Sequence, residues 1–245
     1  MFLELYRNDN IVAGNSVRCC VDEKDCYDGF SVCGYTGDSV EHVAGCRRQL
    51  ASFLDIDEAS VVQCRQTHSS SVFVADAATI TAGNEPFGYD AIVTNLKNVA
   101  IGINTADCVP ILIFDKRAGI IGAVHAGWRG ALAGIAVNAL EKMMELGAGK
   151  DGMGVYFGPS IGECCFEVGN EVASQFPDEF VIHRAGEKPH VNLAAFVAQQ
   201  LVDWGVNRER IVMNGNCTRC DARRYFSARA LGVESGRVFT FIMMR

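Results

Sequence analysis

Proline is scarce in this chain, five residues in 245, and no Pro-rich, Ser/Gly-rich or repeated tract divides it. Domain boundaries normally fall in such linkers, so a single domain spanning 1–245 is expected. Long apolar runs are also lacking. Stretches such as VPILIF and AGIIGAV fall far short of the ~20 residues of a membrane-crossing helix. The opening MFLELYRNDN carries Glu4, Arg7 and Asp9, where an export signal would place a basic segment and then an apolar one. A cytoplasmic location is therefore expected, with no membrane partner. Positive charge is in deficit, 22 Lys and Arg against 29 Asp and Glu for a net charge of -7. Nucleic acid is thereby disfavoured, because its binders concentrate Lys and Arg on one face. A small-molecule partner fits better, bound by a monomer or a small homo-oligomer.

Cysteine, by contrast, is abundant. Its count of eleven is odd, and without an export signal a disulfide framework explains it poorly. Most of these thiols are expected to be reduced and to fill the core. At 49% hydrophobic residues, a chain of this length should bury ~70–75% of its unfolded surface.

Apolar periodicity predicts a helix over Ser39–Leu54, with Ser39 as its cap and Val43, Cys46 or Arg47, Leu50 and Leu54 at helical spacing. VVQCRQ and SVFVAD read as strands on either side of His68. VAIGINT, VPILIFD and IIGAVH read as three more, broken by TADC and by a DKRAG turn. An amphipathic helix should follow Gly127, carrying Leu132, Ile135, Ala139, Leu140 and Met143 as far as Gly147. Another should run from Asn192 to Gly205, and VYFGPSIG, RIVMN and RVFTFIMM are further strands. Strands outnumber helices without regular alternation, so the fold class is α+β, a single domain with mixed β-sheets flanked by helices.

Three residues stand out as chemistry. His68 in QTHSS, Cys108 in TADCVP and His125 in VHAGWRG each lie at a strand end, beside glycine or small residues that allow close approach. One thiolate and two imidazoles form a donor set suited to zinc, and three protein ligands leave a fourth position for reaction. Asp107 can orient a ligand imidazole or bond its own loop. Gly127 and Gly130 at a helix start, with Arg129, can receive an anion or form a plain turn. Cys217 and Cys220 make a CxxC, and Cys164 with Cys165 form an adjacent pair. Adjacent cysteines are a poor chelating geometry for one metal, so these four are expected to be structural thiols.

The segments RQTHSSSV, TADCVPILIFD, AVHAGWRGALAG, GPSIGECCFEVG and NCTRCDARRYFSARALGVESGRVFTFI resemble the YfiH/YlmD family from about Phe30 onward. That family was formerly labelled multicopper polyphenol oxidase or laccase and is regarded as purine nucleoside phosphorylases that also deaminate adenosine. The resemblance implies a YfiH-like fold, with zinc held by His68, Cys108 and His125. It implies a further site residue at Arg47, in GCRRQL, where Cys46 replaces the usual Asn. The implied substrates are phosphate with adenosine, inosine, guanosine or 5'-methylthioadenosine, plus adenosine alone for hydrolytic deamination. Tyr225 to Ala230 depart from the family's FFSYRRDG, which bears on substrate contacts near the site's mouth.

Three rivals remain. Cys108 and His125 can form a metal-free Cys-His hydrolase or deamidase. The donor set can also take copper, although a laccase needs more imidazoles than five histidines supply. A closed zinc site bracing an interaction module is the third. The cytidine-deaminase arrangement is absent, since neither HxE nor PCxxC occurs.

Overall fold

Runs that are apolar at every position become strands buried on both faces, and here their alternate side chains serve two different cores. The computed structural model describes all residues except 1, 9, 19–21, 23, 24, 83 and 84. In chain order the strands are β1 (Phe2–Arg7), β2 (Ile11–Ser16), β3 (Val61–Gln63), β4 (Val72–Val74), β5 (Ala91–Thr94), β6 (Val99–Thr105) and β7 (Val109–Asp115). They continue with β8 (Ile120–Ala126), β9 (Met153–Phe157), β10 (Val181–Ile182), β11 (His190–Val191), β12 (Ile211–Met213) and β13 (Val238–Met244). The helices are α1 (Val40–Leu54), α2 (Ala77–Ala82), α3 (Trp128–Leu132), α4 (Ile135–Glu145), α5 (Asn170–Ala173), α6 (Leu193–Trp204) and α7 (Ala228–Leu231).

A five-stranded sheet runs β1-β2-β13-β6-β3 and a six-stranded sheet runs β12-β9-β7-β8-β5-β4. Both are mixed: β3 joins β6, β4 joins β5 and β12 joins β9 in parallel, and the other pairs are antiparallel. The two-stranded β10-β11 ribbon stands apart. Ile101 and Ile103 of β6 and Ile242 of β13 pack with Leu112 and Phe114 of β7 and Ile121 of β8, so the two sheets face each other across a common core. On the outer face of the larger sheet, Val109, Ile111 and Ile113 meet Ile135, Leu140 and Met143 of α4 and Val197 and Leu201 of α6. On the outer face of the smaller sheet, Ala100, Phe239, Phe241 and Met243 meet Cys46, Leu50 and Leu54 of α1. The result is four layers, helix, sheet, sheet and helices, which is the mixed α+β architecture expected.

The capping of α1 follows the sequence: the Ser39 hydroxyl accepts from the His42 N–H at 3.1 Å, satisfying one of the free donors of a first turn. The helix predicted after Gly127 needs correction, because it is two helices. Gly134 adopts φ 76° between α3 and α4, a left-handed conformation that glycine tolerates without steric cost. The chain thus changes direction just beyond the strand end that carries His125. Among the described residues, no helix is long and apolar enough to cross a membrane.

Leu50 is fully buried between α1 and the smaller sheet. Leu50→Ala should therefore cost about 2–5 kcal/mol, against about 0.5–2 kcal/mol for Ser39→Ala, as read from the midpoints of urea unfolding.

Candidate metal centre

His68 and Cys108 arrive from two connections and His125 from the end of β8, and the three meet at one end of the sandwich. Each offers a donor atom, and these atoms all lie within 4.8 Å of one another. Cys108 closes the short loop between β6 and β7, while His125 sits on β8 opposite Pro110 of β7. His68 lies on the loop from β3 to β4, its Nε2 3.7 Å from the Cys108 sulfur and its ring centroid 4.9 Å from that of His125. His68 adopts φ 60° and Asp107 φ 89°, two of only four described non-glycine residues at positive φ. Such conformations cost of order 1 kcal/mol or more and persist where surrounding contacts over-determine them.

The contact that over-determines this site is a residue that sequence reasoning passed over. Asp90 is fully buried just before β5. One of its oxygens accepts from the His68 N–H at 2.9 Å and from His125 Nδ1 at 2.7 Å. The other accepts from the N–H groups of Thr67 at 3.1 Å and Ser69 at 2.6 Å. One carboxylate therefore shapes the His68 loop and fixes the His125 ring with Nδ1 as donor, which leaves Nε2 as the ligand atom. Nothing in GYDAIV announces this role, since it exists only once two distant loops meet. Asp107 does neither job considered for it. Its oxygens accept from the Thr218 hydroxyl and the Arg229 N–H, both at 2.7 Å, tying the Cys108 loop to the C-terminal segment.

Gly127 has a packing reason. A Cβ there would stand 2.5 Å from the His68 ring and 3.3 Å from the Cys108 sulfur. Arg129 stacks on Trp128, with the guanidinium carbon 4.2 Å from the ring centroid, and is not part of the cavity wall. Arg47 also stands outside that wall. It lies on α1 with its guanidinium 3.2 Å from Glu85 and 3.4 Å from the Val61 carbonyl. It reaches the cavity only through a relay: Gln63 donates to Glu85, Asn104 donates to Gln63 at 2.9 Å, and Asn104 is a wall residue.

The electrostatics are those of a thiolate held against imidazoles. Burial pushes the Cys108 thiol up, but His125 and then His68 more than reverse this and bring it to about 6. Burial likewise opposes a proton on His125, yet the Cys108 thiolate and the Asp90 carboxylate raise it to about 9. Burial would raise Asp90 too, but the hydrogen bond and charge of His125 and the Ser69 N–H hold it well below the usual carboxylate range. The donors fit one borderline-soft divalent ion, since the imidazole orientation is preset and the sulfur is already ionised near neutral pH.

The cluster opens into a cavity of about 470 Å³, inside the range of small-molecule sites. Tyr35, Gln66, Asn104, Arg229 and Arg237 line the rest of it. Gln66 and Asn104 are locked together, the Gln66 amide donating to the Asn104 carbonyl and accepting from its N–H, each at 2.8 Å. The Asn104 side-chain oxygen is buried without a hydrogen-bond partner among the described residues. Only Arg229 of these wall residues lies in a segment that the sequence singled out for substrate contact.

Two outcomes test this geometry. Asp90→Ala should weaken divalent-metal binding about 10–100-fold and cost about 3–5 kcal/mol of stability by stranding its buried partners, measured by competitive metal titration and by chemical unfolding. Because a metal must replace the proton on His125, affinity should rise with pH through the neutral range and level off above about 9. A flat profile between pH 6.5 and 8.5 contradicts that assignment.

Comparison with known proteins places this geometry in a family. The family model described as multi-copper polyphenol oxidoreductase laccase matches residues 13–245. The chain is 41% identical over 246 residues to adenosine deaminase RL5 of an unknown prokaryotic organism, covering 96% of this chain and 94% of that protein. It is 32% identical over 231 residues to a purine nucleoside phosphorylase of Bacteroides thetaiotaomicron, covering 89% and 86%. Among solved structures it resembles YlmD from Geobacillus stearothermophilus, with a TM-score of 0.87, 27% identity and coverage of 97% and 93%. With the match running through both sheets and all three cluster residues, the chain belongs to the YfiH family, whose model bears that laccase description.

Proposed function

We propose that the chain is a zinc-dependent purine nucleoside phosphorylase, acting on adenosine, inosine, guanosine and 5'-methylthioadenosine, that also deaminates adenosine to inosine. One observation carries the reading. A His2Cys cluster stands at one end of a nucleoside-sized cavity whose walls also present two guanidinium groups. The names of the phosphorylase and deaminase relatives support the reaction classes.

Zinc bound by His68, Cys108 and His125 would supply Lewis acidity at the position three protein ligands leave open. The chain's own residues do the rest. Arg229 is anchored through the carbonyls of Cys165 and Glu167 at 3.3 and 3.1 Å. Arg237 is anchored through those of Val233, Ser235 and Gly236. Among the described residues neither guanidinium forms an ion pair, so the two can hold phosphate beside the sugar. Tyr35 offers a ring to the flat surface of the nucleoside base. In phosphorolysis a phosphate oxygen bonds to the anomeric carbon as the bond to the base nitrogen breaks, and the base leaves with that electron pair and gains a proton. Holding the partners in line supplies much of the acceleration. Arg47 acts at a distance, keeping Glu85, Gln63 and hence Asn104 in register.

A second reading has an observation of its own. Asp90, His125 and Cys108 line up as orienter, base and low-pKa thiol, the arrangement of a Cys-His hydrolase. A multinuclear copper oxidase is not favoured, because the remaining histidines are scattered: His42 pairs with Asp38 at 2.8 Å, His190 bonds the Glu163 carbonyl at 2.7 Å, and His183 lies in an exposed loop.

Incubating the zinc-loaded protein with adenosine should give adenine only when phosphate is present and inosine with or without it, resolved chromatographically. Cys108→Ala should abolish every product. Chelation should do the same reversibly, whereas full activity after chelation would favour the hydrolase.

A further inference from the structure

Four cysteines from two distant pairs in the chain form a second cluster on the other side of Asp107. The sulfurs of Cys164, Cys165, Cys217 and Cys220 all lie within 4.8 Å of one another. Cys220 is 3.4 Å from Cys165 and 3.7 Å from Cys164, sulfur to sulfur. Four thiolates at ~2.3 Å around one zinc ion stand ~3.8 Å apart, and a disulfide needs ~2.05 Å. The cluster is spaced for the former.

The adjacent pair, which looked unfit for a single metal, is made fit by its backbone. The N–H groups of Cys165 and Phe166 both bond the Gly162 carbonyl at 2.9 Å, and this tight turn directs both side chains toward Cys220. The other loop is braced in the same way, with the Asp221 N–H on the Cys217 carbonyl at 3.1 Å and the Thr218 N–H on the Ser160 carbonyl at 3.0 Å. Donors already serve the sulfurs: the Gly162 N–H reaches Cys217 at 3.2 Å and Arg219 reaches Cys165 at 3.5 Å. A Cβ on Gly162 would stand 3.3 Å from both the Cys164 sulfur and the Cys217 Cβ, so a side chain there would crowd the two loops.

Core filling does not explain this group. Cys46 and Cys64 are buried singly within the apolar clusters, as structural thiols are, whereas Cys164 and Cys220 are exposed, Cys217 is partly so, and Cys165 alone of the four is buried. Thiols at the surface contribute little burial, and four gathered in one place answer the needs of a tetrahedral soft-ligand site.

We infer that Cys164, Cys165, Cys217 and Cys220 form a closed tetrathiolate site for a structural zinc ion, separate from the His68–Cys108–His125 centre. Binding replaces the four thiol protons by one metal ion and involves no change of oxidation state. Its place in the fold indicates its purpose. The turn it holds donates the Ile161 N–H to the Asp107 carbonyl at 2.8 Å, and the opposite loop donates the Thr218 hydroxyl to the Asp107 carboxylate. Arg229 is anchored on the Cys165 carbonyl. The ion therefore staples together the two loops that position Cys108 and the guanidinium wall of the cavity.

The test uses the full chain carrying His68→Ala and His125→Ala, purified under reducing conditions with zinc. About one zinc per chain should remain after dialysis, with an absorption-edge fine structure of sulfur alone at ~2.3 Å. Adding Cys217→Ser and Cys220→Ser should remove it. Should the histidine variant not fold, the native chain decides: about two zinc ions per chain with two to three sulfurs each on average support the site, and one zinc with about one sulfur overturns it. Retention of iron in place of zinc, or loss of free thiols to disulfides in freshly isolated protein, would equally overturn it. Neither result depends on whether the chain turns over nucleosides.

Discussion

The site depends on one carboxylate. Asp90 takes four hydrogen bonds in a place without solvent, three from consecutive backbone N–H groups and one from an imidazole. Hydrogen bonds to a charged group contribute about 1.5–3 kcal/mol each, enough together to hold His68 at a backbone angle that it would not otherwise adopt. The same group fixes the tautomer of His125. Two of the three candidate ligands are thus placed by a residue that touches neither the cavity nor a substrate.

The sandwich explains why such placement is possible. The central strands of both sheets are covered on both faces, so they have little freedom to shift, and a one-residue slip would exchange the side chains of one core for those of the other. Cys108 and His125 sit at the ends of β7 and β8, which are paired over their full length. Only the His68 loop lacks such support, and it is the loop that Asp90 grips.

Much of this was legible in the sequence. The central strands announced themselves as unbroken apolar runs, α1 and α6 by their periodicity and caps, and the ligand trio by residue type at strand ends. Contacts between remote loops were not. Asp90 looks like any strand-entry aspartate until its four donors are in place, Asn104 like an ordinary strand residue, and Cys164 with Cys165 like a pair unable to share an ion. The break at Gly134 was hidden because the apolar spacing continues across it, with Leu132 before the kink and Ile135 after it.

The second imidazole bears most directly on what the cluster is for. Activating a thiol as a nucleophile takes one imidazole and one orienting carboxylate, and His125 with Asp90 already provides them. His68 adds a strained backbone, three N–H bonds from its loop to Asp90, and a Gly127 whose missing side chain clears room for its ring. A hydrolase gains little from that outlay, and an exposed ring 3.7 Å from the nucleophile would obstruct the approach of an acyl group. For an ion that needs three protein donors, His68 is the one that completes the set. The structural cost of holding His68 in position therefore favours metal chemistry over a bare cysteine nucleophile.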